Sequence, residues 1–167
     1  MSTAFDALLS HQRQSMALAR IAQRLAWDHE TVMPHASGDD RSEEMAALEG
    51  VLHARGSGTE LSDLLSAVDP IHLDAVQLRM YDVIKTDFNR RQKIPQDLAV
   101  ALARITSKSH RAWTAAKDAD DVSLFLPMLI EVVHLTRQKA QALSSGDAPL
   151  YDALLQDFEP DGNSAEI

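Results

Sequence analysis

Two short stretches of this sequence set metal-ligating side chains at helical spacing. His29-Glu30 begins like His-Glu-x-x-His, in which two imidazoles four residues apart on one helix face hold zinc and the glutamate acts as general base. The fifth residue here is Met33, and Pro34 follows it. A thioether is a poor zinc ligand, and one imidazole does not hold a catalytic zinc. The expectation for His29 is therefore a surface histidine near a helix end. Glu131-Val-Val-His134 matches the Glu-x-x-His element of di-iron four-helix bundles, which turns a carboxylate and an imidazole to one face. A di-iron centre needs a second such element and two further bridging carboxylates. Glu30 and the Glu43-Glu44 pair could supply carboxylates, but no second Glu-x-x-His occurs. The simpler expectation for Glu131 and His134 is a charged pair on the outer face of an amphipathic helix. A small helical metal enzyme using them is the competing alternative.

Other chemistry is thinly represented. His11, His29, His35, His53, His72, His110 and His134 fall about one per segment, and scattered histidines more often pack at interfaces or face solvent. No cysteine is present, which removes disulfides, thiolate zinc sites and a cysteine nucleophile. There is no glycine-rich phosphate loop and no Gly-x-Ser-x-Gly elbow. Arg90, Arg91 and Lys93 form a small basic spot at a helix end, where the helix dipole favours cations. Trp27-Asp28, followed by Thr31 and Met33-Pro34, is unusual for a mere helix stop. Trp27 continues an apolar stripe and reads as a core anchor, and Asp28 reads as a cap or brace for the following loop.

The elements that must carry these residues are helices. Gly and Pro supply six residues each, aromatic residues only 5%, and no stretch alternates apolar and polar residues like a strand. The expected fold is all-α, a bundle of about six antiparallel helices including a long N-terminal one. Thr3-Ala-Phe-Asp6 resembles a capping box opening a helix from about Ala4 toward Val32. Its stripe is Phe5, Leu8, Leu9, Met16, Ala19, Ala22, Leu25 and Ala26. Asp40-Arg-Ser-Glu43 is a second capping-box candidate, opening a helix closed by Gly56-Ser-Gly58. Thr59 is expected to cap a short helix to about Val68. Asp69-Pro70 reads as N-cap plus first-turn proline of a helix to about Arg91. Pro95 opens the next, with Leu98, Leu102, Ile105 and Trp113 on its stripe. After Asp118-Ala-Asp-Asp121 another helix runs to about Leu143, with Pro127 near its start. A loop follows, then a short helix at Leu150–Leu155.

The chain has 167 residues and a net charge of −9, which suits one ordinary domain. The acidity is uneven. Asp147, Asp152, Asp157, Glu159, Asp161 and Glu166 lie after Ser144, with no Lys or Arg among them. Net acidity argues against binding nucleic acid through bulk charge. No apolar run approaches the roughly 20 residues of a membrane helix, and Met1–Asp6 lacks the pattern of a signal peptide. A cytoplasmic location is expected.

Three stretches, in order, resemble the N-terminal region of the thermostable (Taq-type) zinc metallocarboxypeptidases. They are Leu25–Pro34 with Arg41–His53, then Trp113 with Phe125-Leu-Pro127 and Leu135–Ala140, then Leu150–Pro160. The third is similar to a family segment containing Tyr-Asp-Ala-Leu-Leu and an aromatic-Glu-Pro-Gly turn, although Asp161 here separates Pro160 from Gly162. The resemblance implies a helical, groove-forming, usually homodimeric peptidase that removes C-terminal residues from peptides. It also implies zinc held by a His-Glu-x-x-His helix and a downstream Glu in the family's later portion, with the motif's Glu as base. None of those elements occurs here, so no catalytic or metal residue carries over, no cofactor is expected in this chain, and the chain alone is expected to be inactive. The matched family positions are Trp27, Asp28, Thr31, Met33, Pro34, Tyr151, Asp152, Glu159 and Pro160, structural or groove-lining. Residues 1–143 are expected to form a helical groove-covering domain. Residues 144–167 are expected to form an acidic connecting segment toward an absent catalytic portion, with Asn163–Ile167 as the capped start of a further helix. The competing alternative is a stand-alone, non-catalytic helical interaction module. A groove wall lacking its partner portion should expose apolar surface and dimerise.

Overall fold

The computed structural model describes residues 3–144, 146, 148–160 and 162–166, apart from the side chain of residue 35. Seven α-helices follow one another, with no strand among the described residues: α1 (Ala4–Thr31), α2 (Gly38–Ser57), α3 (Thr59–Ala67), α4 (Ala75–Gln92), α5 (Gln96–Asp118), α6 (Leu126–Leu143) and α7 (Leu150–Leu155). The all-α expectation and the long first helix are correct. Short 3-10 turns occupy His35–Ser37, Pro70–His72 and Val122–Leu124.

The starts of the helices show where local chemistry decides. Thr3 Oγ1 accepts from the Asp6 N–H at 3.1 Å, and Asp6 Oδ2 accepts from the Thr3 N–H at 3.0 Å, so the expected capping box forms. The second expected box does not. α2 begins three residues earlier, at Gly38, so Asp39 and Asp40 sit in its first turn and favour its positive end. Thr59 likewise lies inside α3, and Gly58 joins α2 to α3. Asp69 caps the Pro70–His72 turn, while α4 starts at a separate box. There, Asp74 accepts from Val76 and Gln77, and the Gln77 side chain accepts from the Asp74 N–H. Pro95 is the N-cap of α5, one position before its expected place, and Pro127 falls in the first turn of α6 as expected.

Packing runs in two blocks. Phe5 and Leu8 of α1 meet Leu61, Leu65 and Val68 around α3, and Tyr81 and Phe88 of α4. Removing these large apolar side chains from water is the main stabilising term there. In the second block α5 lies antiparallel along α2, and α6 and α7 pack on in turn. Small buried residues, Ala46, Ala99 and Ala140, let the backbones approach. Arg104 bridges Glu43 with two hydrogen bonds of 2.8 and 2.9 Å, and Arg111 reaches Asp39 at 2.6 Å. α2 in turn holds α1: Arg55 donates to Ser15 Oγ, to the His11 carbonyl and to Gln14.

One expectation fails along α1. Its buried residues are Phe5, Leu8 and His11 only. Met16 is 53% exposed and Trp27 63% exposed, so Trp27 is not a core anchor. The apolar periodicity is real, but the far half of its stripe is only partly covered: Ala19, Ala22 and Leu25 are half-buried, and Met16 and Ala26 are exposed.

Candidate functional site

The Trp-Asp segment is organised by one arginine from the next helix. Arg41 donates to the Asp28 carboxylate at 2.6 Å, to Glu44 at 2.8 Å and to the Leu25 carbonyl. These partners raise its affinity for its proton further. The Asp28 carbonyl accepts from Val32 and Met33, and the Thr31 hydroxyl donates back to the Trp27 carbonyl at 2.7 Å. Asp28, Met33, Pro34 and Arg41 surround a small surface recess. The Asp28 carboxylate thus ties the end of α1 to α2 through Arg41, while the bonds to Val32 and Met33 come from its main-chain carbonyl and not from the carboxylate expected to brace the loop.

A much larger groove, about 700 Å³, opens beside it between α2 and α5. One wall is a stripe of α5: Ala99, Leu102, Ala103, Thr106, His110 and Trp113 recur every three or four residues. The rise of an α-helix makes that stripe roughly 21 Å long. Facing it are Met45, Glu49 and His53 of α2, again at four-residue spacing. Ala26, His29 and Glu30 of α1 close one end. There the His29 and His110 rings meet edge to face at 5.1 Å between centroids. Trp113 lies 5.9 Å beyond, with the Lys117 ammonium over its face. Burial, then the neighbouring His110, Arg41 and Arg111, lowers the His29 pKa and favours its neutral ring.

The other end is charged and mostly paired. Arg90 donates to Asp157 Oδ1 at 2.7 and 3.0 Å and to the Ala153 carbonyl. Lys139 reaches Asp157 Oδ2 at 2.8 Å. Burial raises the Asp157 pKa, but the hydrogen bonds from Lys139 and Arg90 outweigh it and hold the carboxyl below its ordinary value. Arg91 pairs with Asp87 at 2.9 Å. The basic spot is therefore a latch that fastens the acidic segment to α4 and α6, more than a complement to the helix dipole. The His53 Nε2 donates to the Ile94 carbonyl at 2.7 Å, which fixes the tautomer and leaves Nδ1 toward Ser57. Glu49 has no such partner, and burial raises its pKa.

The matched family positions flank this groove without forming its floor. Tyr151 is 59% exposed, Asp152 accepts from the Ser164 N–H at 2.8 Å, and the Glu159 carbonyl accepts from Gly162. Glu159 and Pro160 are exposed. Asn163 Oδ1 accepts from Ala165, making a capped turn but no helix within residues 162–166; Ile167 lies outside the described residues. Glu131 and His134 both face solvent on α6, and His134 bonds to Gln138 at 2.8 Å. No third potential ligand joins them: no group of three or more His, Asp or Glu that could hold a metal occurs among the described residues. The small-metal-enzyme alternative is therefore left with two exposed side chains.

Sequence spacing missed the groove because its residues come from five helices and the connections between them. Each of the three segments that carry the resemblance nevertheless contributes to it. The first supplies Ala26, His29 and Glu30, with Met45, Glu49 and His53; the second supplies Trp113, Phe125 and Lys139; the third supplies Asp157. Residues 7–167 match the model of the Carboxypeptidase Taq (M32) metallopeptidase family.

This chain belongs to that family.

It is 35% identical over 179 residues to thermostable carboxypeptidase 1 of Thermus thermophilus, an alignment covering 98% of this chain and 34% of that protein. It is 26% identical over 162 residues to carboxypeptidase 1 of Bacillus subtilis, covering 93% and 30%. Among solved structures, BsuCP superposes with a TM-score of 0.83 at 24% identity, over 96% of this chain and 32% of that one. The Pyrococcus furiosus carboxypeptidase superposes at 0.75 and 23%, over 99% and 33%. At these identities the superpositions establish the helical fold. The chain spans about a third of the length of the M32 relatives it matches. A metal is expected in the full-length enzymes of a metallopeptidase family, and the described residues of this chain do not fit one. No helix here is long and apolar enough to cross a membrane.

Proposed function

We propose that these helices form a wall of the substrate groove in a zinc-dependent carboxypeptidase that removes C-terminal residues from peptides. Zinc, its ligands and the general base belong to polypeptide outside this sequence. Residues 1–143 form the groove-covering domain, and residues 144–167 connect toward the catalytic portion. The working enzyme is a cytoplasmic homodimer. Trp27, Asp28, Thr31, Met33 and Pro34, with Tyr151, Asp152, Glu159 and Pro160, shape the two ends of the wall.

One observation carries this reading: the three segments resembling the family, far apart in sequence, converge on one open groove. Exposed apolar stripes add support. Val76, Met80 and Val83 on α4, and Leu126, Ile130 and Val133 on α6, repeat at helical spacing and are 38–70% exposed. Such stripes ordinarily pack against another element. The genomic sequence is the direct test. An open frame continuing past codon 167 into a His-Glu-x-x-His helix supports the reading. A stop codon there, with no separate catalytic chain bound by the purified protein, overturns it in favour of a stand-alone module.

A further inference from the structure

Two polar side chains of the groove lack a partner among the described residues: the buried Ser107 hydroxyl, and Glu49. Glu49 sits half-buried on α2, and it makes no hydrogen bond or ion pair with any described residue. The cations around it are engaged elsewhere, Arg90 and Lys139 by Asp157 and Arg91 by Asp87. A half-buried carboxylate of this kind is hydrated, and a ligand that displaces the water must bring a donor of its own. The groove beside it is apolar along Met45, Leu102 and Ala103, and its volume lies in the ordinary range for a ligand site. An anionic ligand does not suit this site, since a carboxylate faces it and the positive charges are already paired. An apolar group carrying a neutral N–H does.

Peptide main chain bearing an apolar side chain has that chemistry, and the exopeptidase reaction fixes which part of a substrate it is. A carboxypeptidase that releases one residue leaves only that residue beyond the cleaved bond. A wall roughly 21 Å long spans several extended residues, and all but one of them lie on the N-terminal side. Resting on the function proposed above, we propose that the α2–α5 groove is a specificity subsite for the substrate on the N-terminal side of the cleaved bond. An apolar side chain lies on Met45, Leu102 and Ala103, and a main-chain N–H donates to Glu49.

Trp113 lines the same groove, and with Trp27→Phe it becomes the sole tryptophan reporter. The probe is N-acetyl-Ala-Leu-Ala-amide, titrated against this chain after circular dichroism shows helical structure. Saturable change in Trp113 emission is expected. Dissociation constants should be about tenfold weaker both for the Ala-Asp-Ala analogue and for peptides N-methylated at one main-chain amide, the loss of one net hydrogen bond. Glu49→Leu should erase the discrimination against the N-methyl peptide, and Glu49→Gln, which keeps an acceptor, should retain most of it. Ala103→Phe should abolish the response. No saturable response, equal affinity for every N-methylated peptide, or unchanged discrimination in Glu49→Leu overturns the proposal. So does a peptide-free Trp113 response to protein concentration that Ala103→Phe removes, which would make a second copy the occupant. Failure here alongside a catalytic open frame past codon 167 would leave the proposed function standing without this subsite.

Discussion

Arg41 does at the residue scale what no nearby motif residue can do for itself. Its guanidinium, with its side chain only 11% exposed, satisfies a carboxylate from α1, a carboxylate one turn ahead and a carbonyl near the end of α1. Arg41→Ala should cost about 1 kcal/mol in urea unfolding, because the part-buried Leu25 carbonyl loses its donor while the exposed Asp28 and Glu44 carboxylates turn to water. Arg41→Lys should recover little, since an ammonium lacks the planar fork. His11 is 5% exposed and both its ring nitrogens lack a hydrogen-bond partner. Burial, then Arg55, lowers its pKa against a weaker opposing pull from Glu60. The unfolded chain therefore binds a proton near pH 6.5 that the folded chain refuses. Stability should fall as pH drops below about 6.5, and His11→Leu should flatten that limb of the pH–stability curve. Glu49 works in the opposite sense. Its folded pKa is raised, so stability is lost as pH rises from the unfolded value near 4.3 through the folded one. Glu49→Gln should be more stable than the parent at pH 7 and indistinguishable from it below about pH 4. Asp28 was legible in sequence as a polar brace, though not its partner Arg41, which lies 13 residues on in the next helix. Trp27 was not: a stripe of the right period says that a face is apolar, not what covers it.

At the scale of elements, helix existence and most ends were written in local chemistry. The Thr3 box, Pro95, Pro127 and the Gly56–Gly58 closure all act within a few residues. Errors arose where two local signals competed. Asp69-Pro70 is a good start signal, but the Asp74–Gln77 box is reciprocal and wins α4, leaving Asp69 a single 3-10 turn. Asp74→Ala should therefore cost about 1 kcal/mol and speed amide exchange in the first turn of α4, while Asp69→Ala should leave that turn unchanged. At Gly58 a Cβ would run into the Ala54 backbone carbonyl, which cannot swing aside as a side chain can. Gly58→Ala should destabilise the α2–α3 junction, read as a lower urea midpoint. The latch of Asp157 with Arg90 and Lys139 was beyond local reading, because its partners lie 67 and 18 residues away.

For the whole molecule, the all-α class followed from composition and periodicity, but the groove did not. Its histidines look scattered because α1, α2 and α5 each give one, and only packing brings His29 to His110 and Glu49 beside Leu102 and Ala103. A usable signal existed in α5: the run Ala99, Leu102, Ala103, Thr106, His110, Trp113 has helical period. Leu102 and Trp113 were read as one apolar stripe with Leu98 and Ile105, although in the fold Leu98 is buried while Leu102 and Trp113 line the groove. The apolar stripes left exposed on α4 and α6 fit a chain that spans about a third of its relatives. The most direct measurement is release of the C-terminal residue from a blocked dipeptide by a zinc-loaded His-Glu-x-x-His portion of a relative, with and without these helices. The helices alone should release nothing, and adding them to that portion should raise its rate. Zinc-dependent turnover by the helices alone, or no change on adding them, would contradict their role as the non-catalytic wall of the groove.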